Sequence, residues 1–373
     1  ALLNPGQNQP DVELHDYTLL PGLIEAHAHL FLEGGELEFK KRNTYLKQTP
    51  QELLSVARQR LEKLVRIGII AIRDAGDKHG VGLALSKLYA REDKPLMPYV
   101  DSPGAAIHHK GRYGGFMAEP LENHGSPKAC VESRIQAGAE RIKLIATDII
   151  DFKEGRVVKE PQMTTHEVTE LVRAAKAFHK QAFAHASGEE GIESVIEGSV
   201  DSVEHGFFIR ADQLARMRDR QIAWVPTIAP VQKQIEYAAR LGWDERIISN
   251  LQKILDQHAT SLVKAHAMGV QIIAGSDAGS YGVMHGLGLL DELELMERAG
   301  LSAIAVINAA TGNGSQRLRY KEKFGQIKPG YRSRFILTKH SPLSGIVNLR
   351  KQKHVVFDDA VFDSNLNFDT TGL

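Results

Sequence analysis

The sequence predicts an α/β protein, a (β/α)8 (TIM) barrel with a small β-sandwich domain formed from the N- and C-terminal segments. Short apolar runs alternate eight times with longer amphipathic runs, a pattern typical of parallel βαβ units. The 373 residues, 42% of them hydrophobic, can bury the core of one large barrel. Strand-like segments at both ends lie outside the alternation. We therefore assign residues 1–20 to an incomplete N-terminal β segment, 21–320 to the barrel and 321–373 to the C-terminal strands.

The first barrel unit shows how each strand and helix is predicted. The apolar run "LLPGLIEAHAHL" predicts a strand. The helix after it begins at the capping hydroxyl of Thr49, has Pro50 in its first position and ends at Gly68. The other seven pairs are "IIAIRDAG" with "VGLALSKLYARE", "MPYVDS" with "KACVESRIQAGA", "RIKLIATD" with "TTHEVTELVRAAKAFHK", "QAFAHA" with "EEGIESVIEG", "VDSVEHG" with "ADQLARMRDRQ", "IAWVPTIA" with the run from Asp244 to Gly269, and "VQIIAGSDAG" with "LGLLDELELMERAG".

The two ends of the chain predict the small β domain. After "SAIAVINAATGNGSQRLR" the runs "FGQIKPGYRSRFILT" and "HVVFDDAVF" are strand-like, with a Lys-Pro-Gly turn. At the N-terminus only the stretch "VELHDYTLL" is strand-like, which is too short to form a domain alone. We therefore expect the N-terminal segment to pair with the C-terminal strands.

Charge and cysteine content narrow the function classes. The 46 basic and 46 acidic residues cancel, so no overall field recruits nucleic acid or an anionic membrane, and we expect a small-molecule partner. Cys130 is the only cysteine, which excludes an internal disulfide framework and thiolate metal sites. No run reaches the roughly 18 consecutive apolar residues of a membrane span. We expect a cytoplasmic protein. Because the sequence begins at Ala1 and not at Met, the alternative that a signal peptide has been removed is kept.

Candidate metal ligands lie in or at the ends of the predicted strands. His27 and His29 share one face of the first strand, because residues i and i+2 point the same way. The candidates in later strands are Lys143 in "RIKLIATD", His185 in "QAFAHA", His205 in "VDSVEHG" and Asp277 in "VQIIAGSD". The carboxyl ends of barrel strands meet on the face where active sites form. Imidazole and carboxylate groups gathered there predict a metal site.

These motifs together resemble the amidohydrolase superfamily of metal-dependent hydrolases, over the chain from about Leu20 to Val361. "PGLIEAHAH" is similar to the first-strand signature, "AHASG" and "VEHG" to the fifth- and sixth-strand ligands, and "GSDAG" to the eighth-strand aspartate. The block ending in "VEHG" and the close "FGQIKPGYRSRFIL" are most similar to the prolidase-like and imidazolonepropionase-related branches. One departure is Ser333-Arg334, where the family has an Ala-Asp pair. It is remote from the predicted metal site, so it bears on the subfamily more than on the chemistry.

The resemblance implies a binuclear centre bridged by a carboxylated lysine. Burying the Lys143 ammonium among Ile142, Leu144 and Ile145 is costly, which favours a neutral amine that can take up carbon dioxide as a carbamate. Alternatively, the side chain extends to the barrel rim or pairs with a nearby acidic residue, Asp148 or Glu140. By resemblance, one ion has the ligands His27, His29, Lys143 and Asp277, and the other has Lys143, His185 and His205.

The implied reaction is hydrolysis of an amide C–N bond in a dipeptide or an N-acyl amino acid. Two divalent ions, with Zn²⁺ favoured, would present a bridging hydroxide to the scissile carbonyl. Asp277 would accept the proton of this hydroxide and pass it to the leaving amine, and Lys143 would act as the carbamate bridge. We expect a homo-oligomer.

Substrate contacts are predicted in the loop "GAAIHHKGRYGG", Gly104 to Gly115. His109 occupies the place where prolidase-like relatives have a histidine that helps to bind the substrate's α-carboxylate or the oxyanion. Arg112 and Tyr113 can add charge and hydrogen bonds. His285, just after the eighth strand, can also reach the pocket.

Two other function classes stay open. The first is a mononuclear deaminase or cyclic-amide hydrolase of the imidazolonepropionase-like kind, which needs no bridging lysine and uses a His and Glu pair near the fifth strand. Glu189 and Glu190 are available there, although we expect them to start the next helix. The second is a catalytically inactive binding protein on the same scaffold. Such proteins lose metal ligands, whereas this chain retains all of them.

Overall fold

The computed structural model describes residues 14–91 and 95–364 of the chain. The first 13 residues of the predicted N-terminal segment and the last nine of the C-terminal one lie outside the described residues. The strands are β1 (Thr18–Pro21), β2 (Leu23–Ala28), β3 (Ile69–Asp74), β4 (Tyr99–Asp101), β5 (Ala106–His108), β6 (Ala118–Pro120), β7 (Arg141–Ile145), β8 (Gln181–Ala186), β9 (Ser202–His205), β10 (Ala223–Val225), β11 (Arg334–Thr338), β12 (Lys353–Phe357) and β13 (Ala360–Ser364).

Helices follow the strands along the chain. The α-helices are α1 (Phe39–Tyr45), α2 (Pro50–Ile67), α3 (Val81–Arg91), α4 (Pro127–Ala137), α5 (Thr165–Ala177), α6 (Glu189–Glu197), α7 (Ala211–Asp219), α8 (Ala229–Glu236), α9 (Ala238–Leu241), α10 (Glu245–Met268), α11 (Leu287–Arg298), α12 (Ala303–Ala309) and α13 (Gly312–Arg317). Short 3₁₀ turns cover Leu121–Asn123, Pro342–Ser344 and Ile346–Arg350. In the part of the chain described, no helix combines the length and the apolar composition of a bilayer span.

The predicted helix ends agree with the structure where the capping signals are strongest. Thr49 and Glu52 form a capping box at the start of α2, and Gly68 ends the helix in the left-handed conformation, with φ 96°. Asp244 accepts a hydrogen bond from the amide of Ile247 at the start of α10, which ends at Gly269. Local sequence therefore determines these boundaries.

Parallel strands build the barrel. One sheet has the order β10-β9-β8-β7-β5-β6 and another the order β2-β3-β4. The third barrel strand is divided: β4 pairs with β3, and after a break β5 pairs with β7. Helices pack around these strands, and buried hydrophobic residues from both form one continuous core. The predicted (β/α)8 barrel is confirmed.

The eighth strand position is filled by an irregular segment where a regular strand was expected. Ile272 bridges to Trp224, and the Asp277 amide donates to the carbonyl of His27 at 2.8 Å, so the barrel closes on both sides. Gly275 lies in this segment, and a Cβ there would lie 2.6 Å from a Val225 methyl and 2.9 Å from the His27 Cβ. The close approach of the first strand therefore requires glycine at this position.

The small domain contains a four-stranded antiparallel sheet in the order β1-β11-β12-β13. The N-terminal strand pairs with β11, as expected for a domain formed from both ends of the chain. Arg334, which departs from the family's Ala-Asp pair, is held by two neighbours. Its guanidinium lies 2.9 Å from Asp358 and 4.0 Å from the Phe357 ring centre. The buried cation therefore pairs with a carboxylate in the turn after β12, which it shares with Arg332.

Candidate metal centre

All six predicted metal ligands line one cavity at the carboxyl face of the barrel. The cavity has a volume of about 230 Å³ and is suited to a small molecule. The candidates come from several strands, and the fold brings these side chains together although they are far apart in the sequence. The lining candidates are His27, His29, Lys143, His185, His205 and Asp277.

Three of these residues form a compact group. Nε2 of His29 lies 3.3 Å from Oδ1 of Asp277, and Nε2 of His27 lies 3.7 Å from the same oxygen. The ligand atoms of the three residues all lie within 4.8 Å of one another, a spacing that one metal ion can span. The first-strand pair and the eighth-strand aspartate therefore form a His-His-carboxylate set.

The two other histidines face each other beside this group. The rings of His185 and His205 have centroids 4.5 Å apart in an edge-to-face arrangement, and the His205 ring lies 5.0 Å from that of His27. Lys143 is 2% exposed, with its Nζ 4.8 Å from the centre of the Phe183 ring. The lysine does not pair with Asp148, whose carboxylate binds Lys159 at 3.0 Å, nor with Glu140, which binds Lys180 and Lys321.

Hydrogen bonds behind the histidines fix which ring nitrogen faces the cavity. Nδ1 of His27 lies 2.6 Å from Glu204 Oε2, and Arg73 donates to the same oxygen at 2.7 Å. Nδ1 of His205 lies 2.7 Å from the Thr227 hydroxyl. In both residues Nε2 is left for the cavity, which is the arrangement that metal-binding histidines use.

Burial keeps these imidazoles neutral. Burial, together with the Lys143 charge, lowers the pKa of His27 to about 4 and that of His185 to about 3. The pKa of His205 is also well below its usual range, because of burial and the neighbouring histidines. Burial lowers the pKa of Lys143 to about 8. Neutral imidazoles have the lone pair that a metal requires.

The donor atoms fit divalent metal ions. Among the described residues, Nε2 of His27, Nε2 of His185 and Oδ1 of Asp277 are buried without a hydrogen bond, although Nε2 of His29 lies 3.3 Å from that oxygen. Unsatisfied buried polar atoms are rare, and here three of them face one cavity. Nitrogen and carboxylate donors suit Zn²⁺ and related ions. These residues would hold such ions.

Two of the candidates adopt backbone conformations that non-glycine residues seldom use. His205 has φ 66° and Asp277 has φ 56°, both in the left-handed region. In β9 the alternation of side chains turns Ser202 and Glu204 into the barrel, so His205 would face outward if the strand continued. The left-handed turn directs His205 to the cavity. Such backbone strain is typical of functional sites.

Comparison with known proteins identifies the family. The model of the Amidohydrolase family matches residues 18–362. The chain belongs to the amidohydrolase family. It is thus a hydrolase that acts on carbon–nitrogen bonds, in a family that generally binds divalent metals. The resemblance inferred from the motifs is confirmed.

Solved structures share the fold of this amidohydrolase across nearly its whole length. A Xaa-Pro dipeptidase with methionine bound in its active site is 25% identical, with a TM-score of 0.81, covering 96% of this chain and 91% of that one. A prolidase complexed with N-methylphosphonate-L-proline is 18% identical (TM-score 0.78; 96% and 90% covered), and the A. niger ochratoxinase is 22% identical (TM-score 0.73; 93% and 83% covered). An uncharacterised protein of Mycobacterium tuberculosis (strain ATCC 25618 / H37Rv) is 25% identical over 296 residues, 78% of this chain and 72% of that protein.

Of the four residues predicted to bind substrate, the structure brings Tyr113 to the cavity of this amidohydrolase. Its ring lies 5.4 Å from that of His185. His109 lies between two carboxylates, 2.8 Å from Glu122 and 3.1 Å from Glu167. It does not line the cavity in this structure, and its role in substrate binding stays a prediction.

Arg112 and His285 also lie outside the cavity lining. Arg112 lies 3.4 Å from Asp148 and donates to the Glu160 carbonyl at 2.6 Å. His285 is buried, with Nε2 2.9 Å from the Leu32 carbonyl oxygen. Both side chains are held by neighbouring loops, and such tertiary contacts are not visible in a local motif.

Sequence reasoning missed the charged layer beneath the ligands. Glu204 and Arg73 are fully buried in the barrel and connect its second and sixth strand positions. The motif "VEHG" predicts one functional residue, His205. Period-two alternation with Ser202 would have identified Glu204 as a second inward-facing residue. No local signal pairs it with His27, which lies 177 residues away in sequence.

Proposed function

We propose that this chain is a binuclear metal-dependent hydrolase that cleaves an amide C–N bond. The observation that carries the proposal is the position of Lys143. Lys143 is buried and lines the same cavity as both groups of histidines. A carbamate at its side-chain nitrogen would supply two oxygens, one to each group.

The residues suggest how two ions would be held. His27, His29 and Asp277 would hold one ion, His185 and His205 the other, and carboxylated Lys143 would be shared. Carboxylation joins the neutral Lys143 nitrogen to the carbon of carbon dioxide, and one proton leaves the nitrogen. Zinc is the proposed metal, since histidine and carboxylate ligands suit it. Bound divalent ions supply Lewis acidity to the scissile carbonyl and lower the pKa of water at the centre.

Asp277 is the proposed proton carrier. Its Oδ2 accepts a hydrogen bond from Ser280 at 2.9 Å, which leaves Oδ1 facing the two first-strand histidines. Although burial acts to raise the pKa of Asp277, interactions with His29 and His27 lower it, so the carboxylate is ionised and can accept a proton. It would then deliver that proton to the leaving amine.

The mononuclear deaminase alternative finds less support. Its proton-transfer glutamate is expected beside the fifth strand, where Glu189 and Glu190 were the candidates. Both begin α6 and are exposed, and Glu189 pairs with Arg210 at 2.9 Å. Neither carboxylate lines the cavity. Among the described residues, no glutamate lines the cavity.

Metal titration of stripped protein tests this proposal. The chain is treated with a chelator, then titrated with Zn²⁺ in bicarbonate buffer while hydrolysis of an amide panel is followed. We expect amidase activity to reach its maximum at two equivalents of metal. Saturation at one equivalent, with ammonia released from aminated heterocycles and no amide cleaved, would instead support the deaminase.

A further inference from the structure

Beyond the candidate ligands, the cavity wall is mainly apolar. Aromatic and aliphatic side chains from several βα loops surround the space that a substrate would occupy. Two of them are open to solvent at the mouth: Ile149 is 51% exposed and Phe116 is 36% exposed. Exposed apolar groups around a pocket mark a surface that receives an apolar ligand. The main wall residues are Phe116, Met117, Ile149, Phe152, Phe207 and Val231.

The polar side chains of the wall are uncharged and largely engaged. Thr227 bonds to His205, and Ser280 donates to Asp277. The Tyr281 hydroxyl donates to the Leu37 carbonyl at 3.0 Å, and the Gln234 carbonyl accepts from Trp243 at 3.2 Å. These groups orient ligands or anchor loops. They offer hydrogen bonds to a substrate, but no positive charge.

Several cations near the cavity already have acidic partners. Among the described residues that line it, Lys143 is the one lysine, no arginine is present, and the histidines are the four candidate ligands. Outside the lining, Arg112 binds Asp148, and His109 lies between two glutamates. Lys233, on α8, binds Glu236 and Asp291. A free carboxylate on the substrate would thus lose its water without gaining a cationic partner away from the metal centre.

We infer that the substrate is an amide whose acyl and amine parts are both uncharged and apolar, in place of the dipeptide or N-acyl amino acid expected from the family resemblance. This inference rests on the proposed function for the bond that is cleaved. Water adds across that bond: the carbonyl carbon gains a hydroxyl group, and the nitrogen leaves with the other proton. The products are a carboxylic acid and a free apolar amine.

A matched pair of amides tests the inference. N-hexanoylphenethylamine and N-hexanoyl-L-phenylalanine differ only in the carboxylate. With zinc-loaded full-length chain, kcat/KM is measured from amine release, and the Kd of each compound is measured by calorimetry on the Asp277→Asn variant. We expect kcat/KM to be at least tenfold higher, and Kd at least tenfold lower, for the phenethylamine amide.

The outcomes separate this inference from the proposed function. Equal or better turnover and binding of the phenylalanine derivative would overturn the inference and leave amide hydrolysis standing. Tighter binding of the phenethylamine amide without cleavage of either compound would support the inference and contradict the proposed function. Equal or weaker binding of that amide, again without cleavage, would contradict both.

A charge placed in the wall gives an independent check. Gln234→Lys introduces a cation into the lining, whereas Gln232→Lys introduces one on the same helix outside it. We expect Gln234→Lys alone to reduce the preference for the uncharged amide at least threefold. An unchanged preference in Gln234→Lys would overturn the inference, because wall charge would then not control selection.

Discussion

The Glu204 carboxylate lies 2.6 Å from Nδ1 of His27, and the same oxygen accepts a hydrogen bond from Arg73 at 2.7 Å. Its other oxygen accepts from Ser202 at 2.6 Å. Burial acts to raise the pKa of Glu204, but Arg73 and His27 outweigh it and bring the pKa to about 2. The carboxylate therefore stays ionised and holds the His27 ring with Nε2 toward the cavity.

Replacing Glu204 by Gln should weaken metal binding without removing a ligand. Loss of a carboxylate behind a ligating histidine typically costs about 10- to 100-fold in metal affinity. We expect an increase of this size in the zinc Kd, measured by competition with a chromophoric chelator. Asp101→Asn is the control, because Asp101 also forms a buried ion pair in the barrel, with Arg141, but contacts no candidate ligand. Equal zinc affinity in the two variants would contradict the orienting role of Glu204.

Asp277→Asn should retain part of the metal and lose most turnover. The asparagine side chain can still accept the hydrogen bond from Ser280, but it cannot accept a proton as the carboxylate does. General-base catalysis typically contributes roughly 10²- to 10⁴-fold to the rate. A fall in kcat of this order is expected, with metal content measured in parallel. Ser280→Ala serves as the control and should reduce kcat far less. Turnover of Asp277→Asn near that of the parent would exclude the proposed proton carrier.

The predicted substrate residues should differ in effect. His109 is held by two glutamates outside the cavity, so His109→Ala is expected to change kcat/KM by less than about threefold. Tyr113 lies in the cavity against His185, and Tyr113→Ala should lower kcat/KM by at least about tenfold because it removes buried contact area. Steady-state kinetics of the two variants measure this difference. A larger loss of kcat/KM in His109→Ala than in Tyr113→Ala would support the predicted role of His109 in substrate binding.

The stability of the terminal sheet should depend on pH through Lys353. Burial, aided by Arg350, lowers the pKa of this lysine from 10.5 to about 8, and its ammonium donates to the Leu349 carbonyl. Between pH 8 and 10.5 the unfolded chain binds more protons at this site than the folded one, so the stability contribution rises with pH.

Urea unfolding of the parent and of Lys353→Met at pH 7.5 and 9.5 measures this dependence. Relative to the variant, the parent should gain up to about 1.4 kcal/mol per pH unit across the window. Lys351→Met, which removes an exposed lysine two residues away, controls for loss of charge alone. A difference between parent and Lys353→Met that does not change with pH would show that Lys353 has no depressed pKa in the folded chain.

The sequence predicts most of the barrel and the convergence of the candidate ligands, because both follow from local patterns. Apolar runs and capping residues located the strands and helices, as at Thr49 and Gly68. The carboxyl ends of parallel strands converge, so residues as distant as His27 and Asp277 were expected to meet, and their ligand atoms do lie close together.

What the sequence could not predict depends on loops and on contacts between distant residues. His109 faces Glu122 and Glu167 because its loop packs beside the start of α5. Position 275 requires glycine because the first strand passes too close to it for a Cβ. The inward turn of His205 needs a left-handed φ, which alternation alone does not foresee. These features are set by packing, which no single segment encodes.

The central claim is a two-metal centre that shares Lys143, and metal content per chain tests it most directly. Protein prepared with zinc and bicarbonate is compared with Lys143→Ala by elemental analysis. Lys159→Ala, which removes a lysine bound to Asp148 outside the cavity, is the control. We predict about two ions in the parent and in Lys159→Ala, and one or fewer in Lys143→Ala. One ion in the parent, or two ions in Lys143→Ala, would contradict the claim.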